Sequence, residues 1–253
     1  MRALLRDPRA RAGEHAFAVE GPRAVGAALD RGGALETVYF GPHADVAFGG
    51  LRSRLERAGV PFAVLKEGVL EKLGSTVTPQ PVLAVAPMSS HALADFAQDG
   101  LVLVGVELAD PGNVGTILRT AEAAGATGIV LSSGSVDAYN PKVVRASAGA
   151  IFGVRVLEGW SAVEALDALG KQGRQRLAAD ASTGTPYDRV DLSRPTALVL
   201  GNEARGVPTE LDAHLDGRVT VPMHGPADSL NVAMAATVLC FEAARQRALG
   251  SGP

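Results

Sequence analysis

The sequence predicts an α/β protein organised around a parallel sheet. Short apolar runs of strand length alternate with segments of helical periodicity, which is typical of a parallel sheet covered on both faces. Three of these runs are followed by polar segments that contain glycine. Because ligands bind at the carboxyl ends of the strands in open α/β sheets, the three segments predict a functional site.

The first 90 residues predict a small α/β domain. A helix is expected over residues 22–30, with Pro22 near its start and Gly32 beyond its end, which are favoured positions for these residue types. A second helix is expected near residues 51–58, and residues 87–100 indicate a linker that contains a helical turn. Strands are predicted at residues 17–20, 37–40, 62–65 and 83–86.

Residues 91–253 predict a second, larger domain in which strands and helices alternate more regularly. Asn140 and Pro141 indicate the start of one helix, and Ser161 with Glu164 forms a capping-box pattern at the start of another. Strands are predicted at residues 101–106, 128–131, 153–157, 177–181, 197–200 and 218–221.

Two further helices flank the polar segments. Asn113 is predicted to cap one helix, which Gly125 ends, and the last helix is expected from about Ser229 to Arg247. Arg119 points well away from the apolar stripe of its helix, so we do not expect it to be buried against the sheet. The stripe consists of Val114, Ile117, Leu118 and Ala121.

Composition narrows the class of protein. The chain has 253 residues, of which 47% are hydrophobic and 20% charged, which suffices for one large domain or two modest ones. Its net charge of −3 argues against tight, non-specific binding of nucleic acid, although a local basic patch is compatible with it. Cys240 is the only cysteine, and no apolar run is long enough to span a bilayer. We therefore expect a cytoplasmic protein with no membrane partner.

Several familiar sites are missing from the sequence. No glycine-rich dinucleotide fingerprint follows a strand, no phosphate-binding P-loop occurs, and the five histidines show no metal-ligand spacing. We therefore expect no metal. Cys240 lies among apolar helix residues and is expected to be a small buried side chain rather than a nucleophile.

The polar segments instead favour recognition by the backbone. Gly201, Gly206 and Gly225 would let main-chain N–H and C=O groups approach a ligand closely. Each segment alone is compatible with an ordinary turn, but three together favour a site. Their apolar neighbours could form the walls of an adenine-sized slot: Leu200, Val221, Met223 and Leu230.

These segments carry a resemblance to a known family. They run Asn113-Val-Gly-Thr-Ile-Leu-Arg119, then Gly201-Asn-Glu203, then Pro222-Met-His-Gly-Pro-Ala-Asp-Ser229-Leu-Asn231-Val. In order and spacing they resemble the three motifs of the SpoU branch of the SPOUT methyltransferases. The intervening stretch from Asn140 to Gly149 also resembles that family. The segment Phe17-Ala-Val-Glu20-Gly-Pro is similar to a small RNA-binding domain that is related to certain large-subunit ribosomal proteins.

The resemblance implies both an activity and an architecture. The activity would be methylation of a ribose 2′-hydroxyl in structured RNA, with S-adenosylmethionine as methyl donor. Ribosomal RNA would be the first choice of substrate and transfer RNA the second. Residues 91–253 would form a parallel-sheet domain with a trefoil knot, although knots are rare in general. The working unit would be a homodimer.

The resemblance also implies roles for particular residues. Arg119 would be the main catalytic residue, and because guanidinium groups hold their protons far above neutral pH, we expect it to act as a cation that clamps phosphate and polarises the ribose oxygen. Its catalytic companions would be Asn113, Glu203, Ser229 and Asn231. The methyl donor would be held by Leu200, Gly201, Asn202, Gly206, Val221, Pro222, Met223 and Leu230.

Basic side chains outside the motifs are candidates for contact with RNA. Lys142 and Arg145 could bind phosphate, or could be ordinary solvated helix residues. Arg9 and Arg11 belong to an N-terminal basic cluster that could be an arm contacting phosphate or a disordered, solvated tail.

Two other classes of function remain open from the sequence. One is a non-catalytic RNA-binding or ribosome-assembly protein that keeps the fold, against which the intact Asn113, Arg119, Glu203 and Asn231 argue. The other is a small-molecule α/β enzyme that uses the crevice for a different nucleotide.

Overall fold

The computed structural model describes residues 1–73, 80–226 and 228–250. The chain divides into two compact units. The first consists of Met1–Ser89 together with Asp137–Gly153, and the second contains the other described residues from Ser90 onward.

The first part of the chain, up to residue 90, contains six helices and four strands among its described residues. The helices are α1 (Arg2–Arg6), α2 (Pro8–Glu14), α3 (Pro22–Asp30), α4 (Ala44–Ala47), α5 (Gly49–Ala58) and α6 (Val69–Leu73). The strands are β1 (Ala16–Glu20), β2 (Thr37–Phe40), β3 (Phe62–Val64) and β4 (Val82–Pro87). All four predicted strands and both predicted helices are confirmed, with ends that differ by at most two residues.

The sheet of the first unit has the order β1-β4-β2-β3. Strand β4 is antiparallel to both of its neighbours, whereas β2 and β3 run parallel. Phe17, Val19, Phe40 and Leu55 lie in the core of this unit with at most 2% of their surface exposed.

The N-terminal residues form the helices α1 and α2, which contradicts the alternative of a disordered tail. Asp7 accepts a hydrogen bond from the Arg9 backbone N–H at 2.8 Å and caps α2. Arg11 is 3% exposed and its guanidinium is paired with Asp137 at 2.5 Å. A side chain buried in this way is not available to RNA, so Arg11 is withdrawn from the predicted contacts.

The segment Asp137–Gly153 belongs to the first unit, although it lies far along the chain. Besides the Arg11 ion pair, the Phe17 ring packs on the rings of Tyr139 and Phe152, with centroids 4.8 and 5.7 Å away. A division of the sequence at residue 90 does not anticipate this packing, because it depends on contacts between residues more than 100 positions apart.

The rest of the chain contains four helices and seven strands among its described residues. The helices are α7 (Pro111–Ala123), α8 (Pro141–Ala146), α9 (Ala162–Lys171) and α10 (Val232–Gly250). The strands are β5 (Leu101–Gly105), β6 (Gly128–Leu131), β7 (Val156–Glu158), β8 (Gln175–Ala179), β9 (Thr185–Pro186), β10 (Thr196–Leu200) and β11 (Gly217–Thr220). Helix α8 lies in the segment that joins the first unit.

The second unit is built on a parallel sheet of seven strands in the order β7-β6-β5-β10-β8-β11-β9. Every residue of β5, β6 and β10 is buried. A strand buried on both faces needs apolar residues at every position rather than at alternate ones. The predicted α/β class is therefore confirmed.

Three local predictions are wrong in an informative way. Asp110, not Asn113, caps α7: its carboxylate accepts a hydrogen bond from the Asn113 N–H at 2.8 Å, and Pro111 occupies the first turn. Helix α10 begins at Val232 instead of Ser229, because the Asn231 side chain accepts the Ala233 N–H at 2.9 Å. The strand predicted at residues 153–157 is shorter and later, since residues 150–152 form a 3₁₀ turn.

Other predicted helix ends are confirmed. Asn140 caps α8 through the Lys142 N–H, and Ser161 and Glu164 form the predicted capping box of α9. Gly125 follows α7 with a φ of 70°, as expected for a residue that ends a helix. Within the described ranges, no helix is both long enough and apolar enough to cross a membrane.

Candidate active site

A cavity of about 510 Å³ opens in the second unit, and the loops that follow β8, β10 and β11 line it. The three strands are parallel, so their carboxyl ends lie at the same edge of the sheet. Three residues of α10 also line the cavity: Val232, Ala235 and Leu239. The sequence predicted a site at this edge, and the structure has a cavity of ligand-binding size there.

The loop after β10 is closed by a pair of backbone hydrogen bonds and needs glycine at two positions. The Asn202 N–H donates to the Gly206 carbonyl at 3.1 Å, and the Gly206 N–H donates to the Asn202 carbonyl at 2.8 Å. A Cβ atom on Gly201 would lie 2.1 Å from the carbonyl carbon of Gly206, and Gly206 has a φ of 68°. Larger residues therefore cannot maintain this loop, which contributes backbone to the cavity wall.

Glu203, at the tip of that loop, binds the start of α7. Its carboxylate accepts the backbone N–H groups of Ala109 at 3.1 Å and of Asp110 at 3.0 Å. It also accepts the Asn113 side-chain amide at 3.0 Å. The second motif is thus hydrogen-bonded to the first across about 90 positions of sequence.

Asn113 extends this network to the third motif. The Asn231 side-chain amide donates to the Asn113 side-chain oxygen at 2.9 Å. The Asn231 side-chain oxygen accepts a hydrogen bond from the backbone N–H of Ala233, in the first turn of α10. One chain of hydrogen bonds therefore runs from Glu203 through Asn113 to Asn231. Glu203, Ser229 and Asn231 also line the cavity.

The environment of Glu203 favours its ionised form. Burial raises the pKa of this carboxyl, but the hydrogen bonds from Asn113 and from the backbone of Asp110 and Ala109 outweigh burial and hold the pKa below its usual value. Glu203 is consequently an anionic acceptor at neutral pH, with its oxygens occupied by donors. That state suits a residue that holds the motifs together and does not suit a general base.

Asp180 supplies a second carboxylate to the cavity wall. Burial raises its pKa, but the N–H groups of Ser182 and Thr183 and the guanidinium of Arg218 lower it more, to about 2. Arg218 donates to Asp180 at 2.8 Å. This loop is not among the segments predicted from the sequence, although it carries the same signal: residues 180–184 are mostly polar, contain glycine and follow a strand.

The remaining predicted site residues occupy different positions. Val221, Met223 and Leu230 line the cavity, as do Gly201, Asn202 and Gly206. The Leu200 side chain is fully buried at the end of β10, and neither Leu200 nor Pro222 is among the cavity-lining residues. Arg119 is exposed on α7 and does not line the cavity. Its guanidinium has no ion-pair partner among the described residues.

The other predicted RNA contacts lie in the first unit. Lys142 and Arg9 are exposed. Arg145 is 42% exposed at its side chain and donates to the buried Glu20 at 3.4 Å. It therefore keeps an accessible guanidinium edge while one nitrogen is paired.

Metal and thiol chemistry find no support in the part of the chain that the structure describes. No group of three or more His, Cys, Asp or Glu side chains there could hold a metal ion. Burial raises the pKa of Cys240 to about 12, so its thiol stays protonated and unreactive, as expected for a packed residue.

The geometry defines an open α/β protein with a ligand-sized cavity at the carboxyl edge of its parallel sheet, where proteins of this class bind their ligands. Residues 100–241 match the SpoU rRNA Methylase family, and residues 2–84 match the MRM3-like substrate binding domain. The chain belongs to the SpoU rRNA methylase family. This membership removes the basis for the alternative of an unrelated small-molecule enzyme.

Individual relatives resemble the chain over most of its length. It is 34% identical to the 23S rRNA (guanosine(2553)-2′-O)-methyltransferase RlmP of Bacillus subtilis strain 168, covering 89% of this chain and 87% of RlmP. It is 31% identical to the 23S rRNA (uridine(2479)-2′-O)-methyltransferase of Streptomyces viridochromogenes, covering 97% and 87%.

A solved structure shares the whole fold. The SpoU methyltransferase AviRb from Streptomyces viridochromogenes, in complex with the cofactor AdoMet, superposes with a TM-score of 0.86 at 30% identity. The match covers 100% of this chain and 97% of AviRb.

Proposed function

We propose that the protein is an S-adenosylmethionine-dependent methyltransferase that acts on a ribose 2′-hydroxyl of structured RNA, with ribosomal RNA as the first candidate. The observation that carries the proposal is the chain of hydrogen bonds from Glu203 through Asn113 to Asn231, whose two end residues line the cavity. Relatives that align over nearly the whole chain carry names of ribosomal RNA 2′-O-methyltransferases.

The cavity fits S-adenosylmethionine in size and chemistry. Its volume of about 510 Å³ lies within the usual range for small-molecule sites. The apolar walls at Val221, Met223 and Leu230 suit an adenine ring, and the backbone of the Gly201–Gly206 loop offers hydrogen bonds. Asp180 and Glu203 place negative charge beside a ligand that is a sulfonium cation. When bound, this ligand supplies an electrophilic methyl group.

Arg119 performs the main catalytic role in this proposal. A guanidinium presents several N–H groups in one plane, which matches two oxygens of a phosphate or a phosphate and a ribose oxygen. Bound in this way, it fixes the target nucleotide and stabilises negative charge that develops on the 2′-oxygen as its proton leaves. The exposure of Arg119 on α7 leaves it accessible to a large substrate.

The companion residues orient the reacting groups. Asn113 and Asn231 hold each other's side chains in one arrangement, and Ser229 precedes Asn231 in the same cavity-lining segment. Orientation of this kind contributes several kcal/mol to catalysis, on the order of the effect of a general acid or base.

The first unit provides the RNA-binding surface in this proposal. It matches a family described as a substrate binding domain, and Lys142, Arg145 and Arg9 present accessible cations on it. Arg11 has no place in this surface because it is buried. Shape recognition fits better than base stacking, since aromatic residues make up only 4% of the chain.

The active form in this proposal is a cytoplasmic homodimer whose catalytic domain contains the trefoil knot of the family. Helix α10 supports the dimer, because Met234 and Phe241 remain 61% and 49% exposed although both are large and apolar. They are seven positions apart and therefore share one face of the helix. A second copy of the chain would cover this face.

Methyl transfer from labelled S-adenosylmethionine tests the proposal. Unmodified large ribosomal RNA, small ribosomal RNA and transfer RNA are incubated separately with the protein and with Arg119→Ala. Label in large or small ribosomal RNA, recovered as an alkali-resistant dinucleotide and absent with the variant, is the expected result. Label in transfer RNA alone would establish the second substrate class. Binding of RNA without label in any class would favour the non-catalytic assembly protein.

A further inference from the structure

Arg205 has a position in the cavity that the proposed mechanism does not use. Of the described residues that line the cavity, it is the one with a cationic side chain. The side chain is 70% exposed, and its Nη2 donates to the Glu107 carboxylate at 2.6 Å. Arg205 is therefore held at the cavity but remains open to solvent.

The backbone of Glu107, the ion-pair partner of Arg205, is held in one conformation. Its backbone has a φ of 51°, in the left-handed region that residues other than glycine rarely adopt. Two hydrogen bonds hold this conformation: the Glu107 carbonyl accepts the Asn202 side-chain amide at 2.8 Å, and the Glu107 N–H donates to the Ser132 hydroxyl at 3.1 Å. Strained backbone that is held so firmly is typical of functional sites.

The acidic side chains around Arg205 disfavour the binding of a polyanion here unless a cationic side chain contacts it. Glu107, Asp110, Asp180 and Glu203 are all acidic and lie on the loops at this edge of the sheet. Three of them accept backbone hydrogen bonds: Glu203 from the Asp110 N–H, Asp110 from the Asn113 N–H and Asp180 from the Thr183 N–H. Arg205 can compensate this negative field.

The pairing with Glu107 is exchangeable. Its two side chains are 70% and 42% exposed, and an ion pair as open as this contributes little net stability. A phosphate accepts the guanidinium in the same planar, bidentate geometry as a carboxylate. An arriving phosphate oxygen can therefore replace the Glu107 oxygen without a large penalty.

We propose that Arg205 is a phosphate-binding residue for the RNA substrate and that Glu107 holds its guanidinium at the cavity until an RNA phosphate replaces the carboxylate. This inference rests on the proposed function, because it requires an RNA substrate. The same guanidinium could bind the other anionic group present, the methionine carboxylate of the methyl donor. The experiment separates these two sources.

The experiment measures two affinities for the wild type, Arg205→Ala and Arg205→Lys. The affinity for unmodified large ribosomal RNA is determined across a salt series, and the affinity for S-adenosylmethionine is determined by calorimetry. Loss of one phosphate contact lowers the slope of log affinity against log salt by about 0.7 to 0.9. We expect this change in Arg205→Ala, with RNA binding weakened roughly tenfold and donor binding unchanged. Arg205→Lys should keep most of the slope.

Glu107→Gln and Arg155→Ala complete the design. Removal of the competing carboxylate should tighten RNA binding in Glu107→Gln, and this gain should disappear when Arg205→Ala is present as well. Arg155 is an exposed arginine of the same unit that does not line the cavity. Arg155→Ala should leave the salt slope unchanged.

Two results would overturn the inference. Unchanged salt slopes together with weaker donor binding in Arg205→Ala would assign the guanidinium to the methionine carboxylate. No change in either affinity would leave Arg205 a solvated residue. Failure of the proposed function looks different, since the wild type itself would then bind no methyl donor or transfer no label to RNA.

Discussion

Glu203 and Arg119 are both charged residues of the motifs, but their surroundings indicate different roles. Glu203 accepts three donors and connects the start of α7 to the loop after β10. Arg119 is exposed and has no ion-pair partner among the described residues. A residue whose hydrogen bonds are already made positions the site, whereas one with open donors can bind the substrate.

The role of Arg119 depends on its planar group more than on its charge. Arg119→Lys keeps the charge but loses the bidentate fork, so we expect kcat to fall by roughly tenfold or more. The affinity for S-adenosylmethionine should be unchanged, because Arg119 does not line the cavity. Single-turnover methylation and calorimetry measure the two quantities. Near-normal turnover in the lysine variant would contradict the bidentate role.

Asp180 ties the stability of the cavity wall to pH. Its folded-state pKa of about 2 lies below the value of about 3.9 for an unfolded aspartate. The stabilisation of about 2 kcal/mol is therefore complete above pH 4 and is lost as the pH falls through 2. Asp180→Asn should lower the free energy of unfolding at pH 7, and the difference from wild type should shrink towards pH 3. Urea titrations at both pH values measure it, and a constant difference would disagree with this account.

At the scale of single elements, the loop after β10 depends on close contact between two glycines. In Gly201→Ala the new Cβ would meet the Gly206 backbone, so the loop must open and we expect affinity for S-adenosylmethionine to fall at least tenfold. Gly217→Ala, in β11, is the matched control, since its Cβ would make only an ordinary contact of 3.6 Å. Calorimetry on both variants measures the effect. Equal affinities would show that the loop tolerates opening.

The elements were largely predictable because their signals are local. Strands buried on both faces are continuous apolar runs, and the caps at Asn140 and Ser161 follow from their nearest neighbours. The cap of α7 was predicted wrongly at Asn113, although the correct signal is also local. Pro111 favours the first turn of a helix and so identifies the preceding Asp110 as the cap. The later start of α10 was harder to predict from the sequence, because the Asn231 side chain hydrogen-bonds both to the first turn of the helix and to Asn113.

The site was predictable only in outline. Parallel strands bring their carboxyl ends together, so three polar loops could be placed at one edge from the sequence. The hydrogen-bond partners of individual residues could not be predicted, because they are far apart in sequence. Glu203 lies 90 positions from Asn113, and Arg205 lies 98 positions from Glu107. Hydrogen bonds of that range depend on the exact register of the loops, which periodicity does not specify.

At the scale of the whole molecule, the exposed face of α10 predicts the oligomeric state. Met234→Asp combined with Phe241→Asp would place two charges on the face proposed to meet a second copy, so we expect a monomer with reduced methylation. Val46→Asp is the control, because Val46 is 77% exposed in α4 of the first unit. Light scattering after gel filtration measures the mass. A wild-type monomer, or a dimer that survives the double change, would contradict the prediction.

The return of residues 137–153 to the first unit limits how this protein can be divided and recombined. A fragment ending at residue 89 would lack Asp137, leaving Arg11 buried without its partner at a cost of about 3 kcal/mol. The Phe17 ring would lose the rings that cover it. A chimera that fuses the substrate-binding module to another methyltransferase must therefore carry both stretches of sequence. A single exchange of sequence at residue 90 would separate these partners and destabilise the first unit.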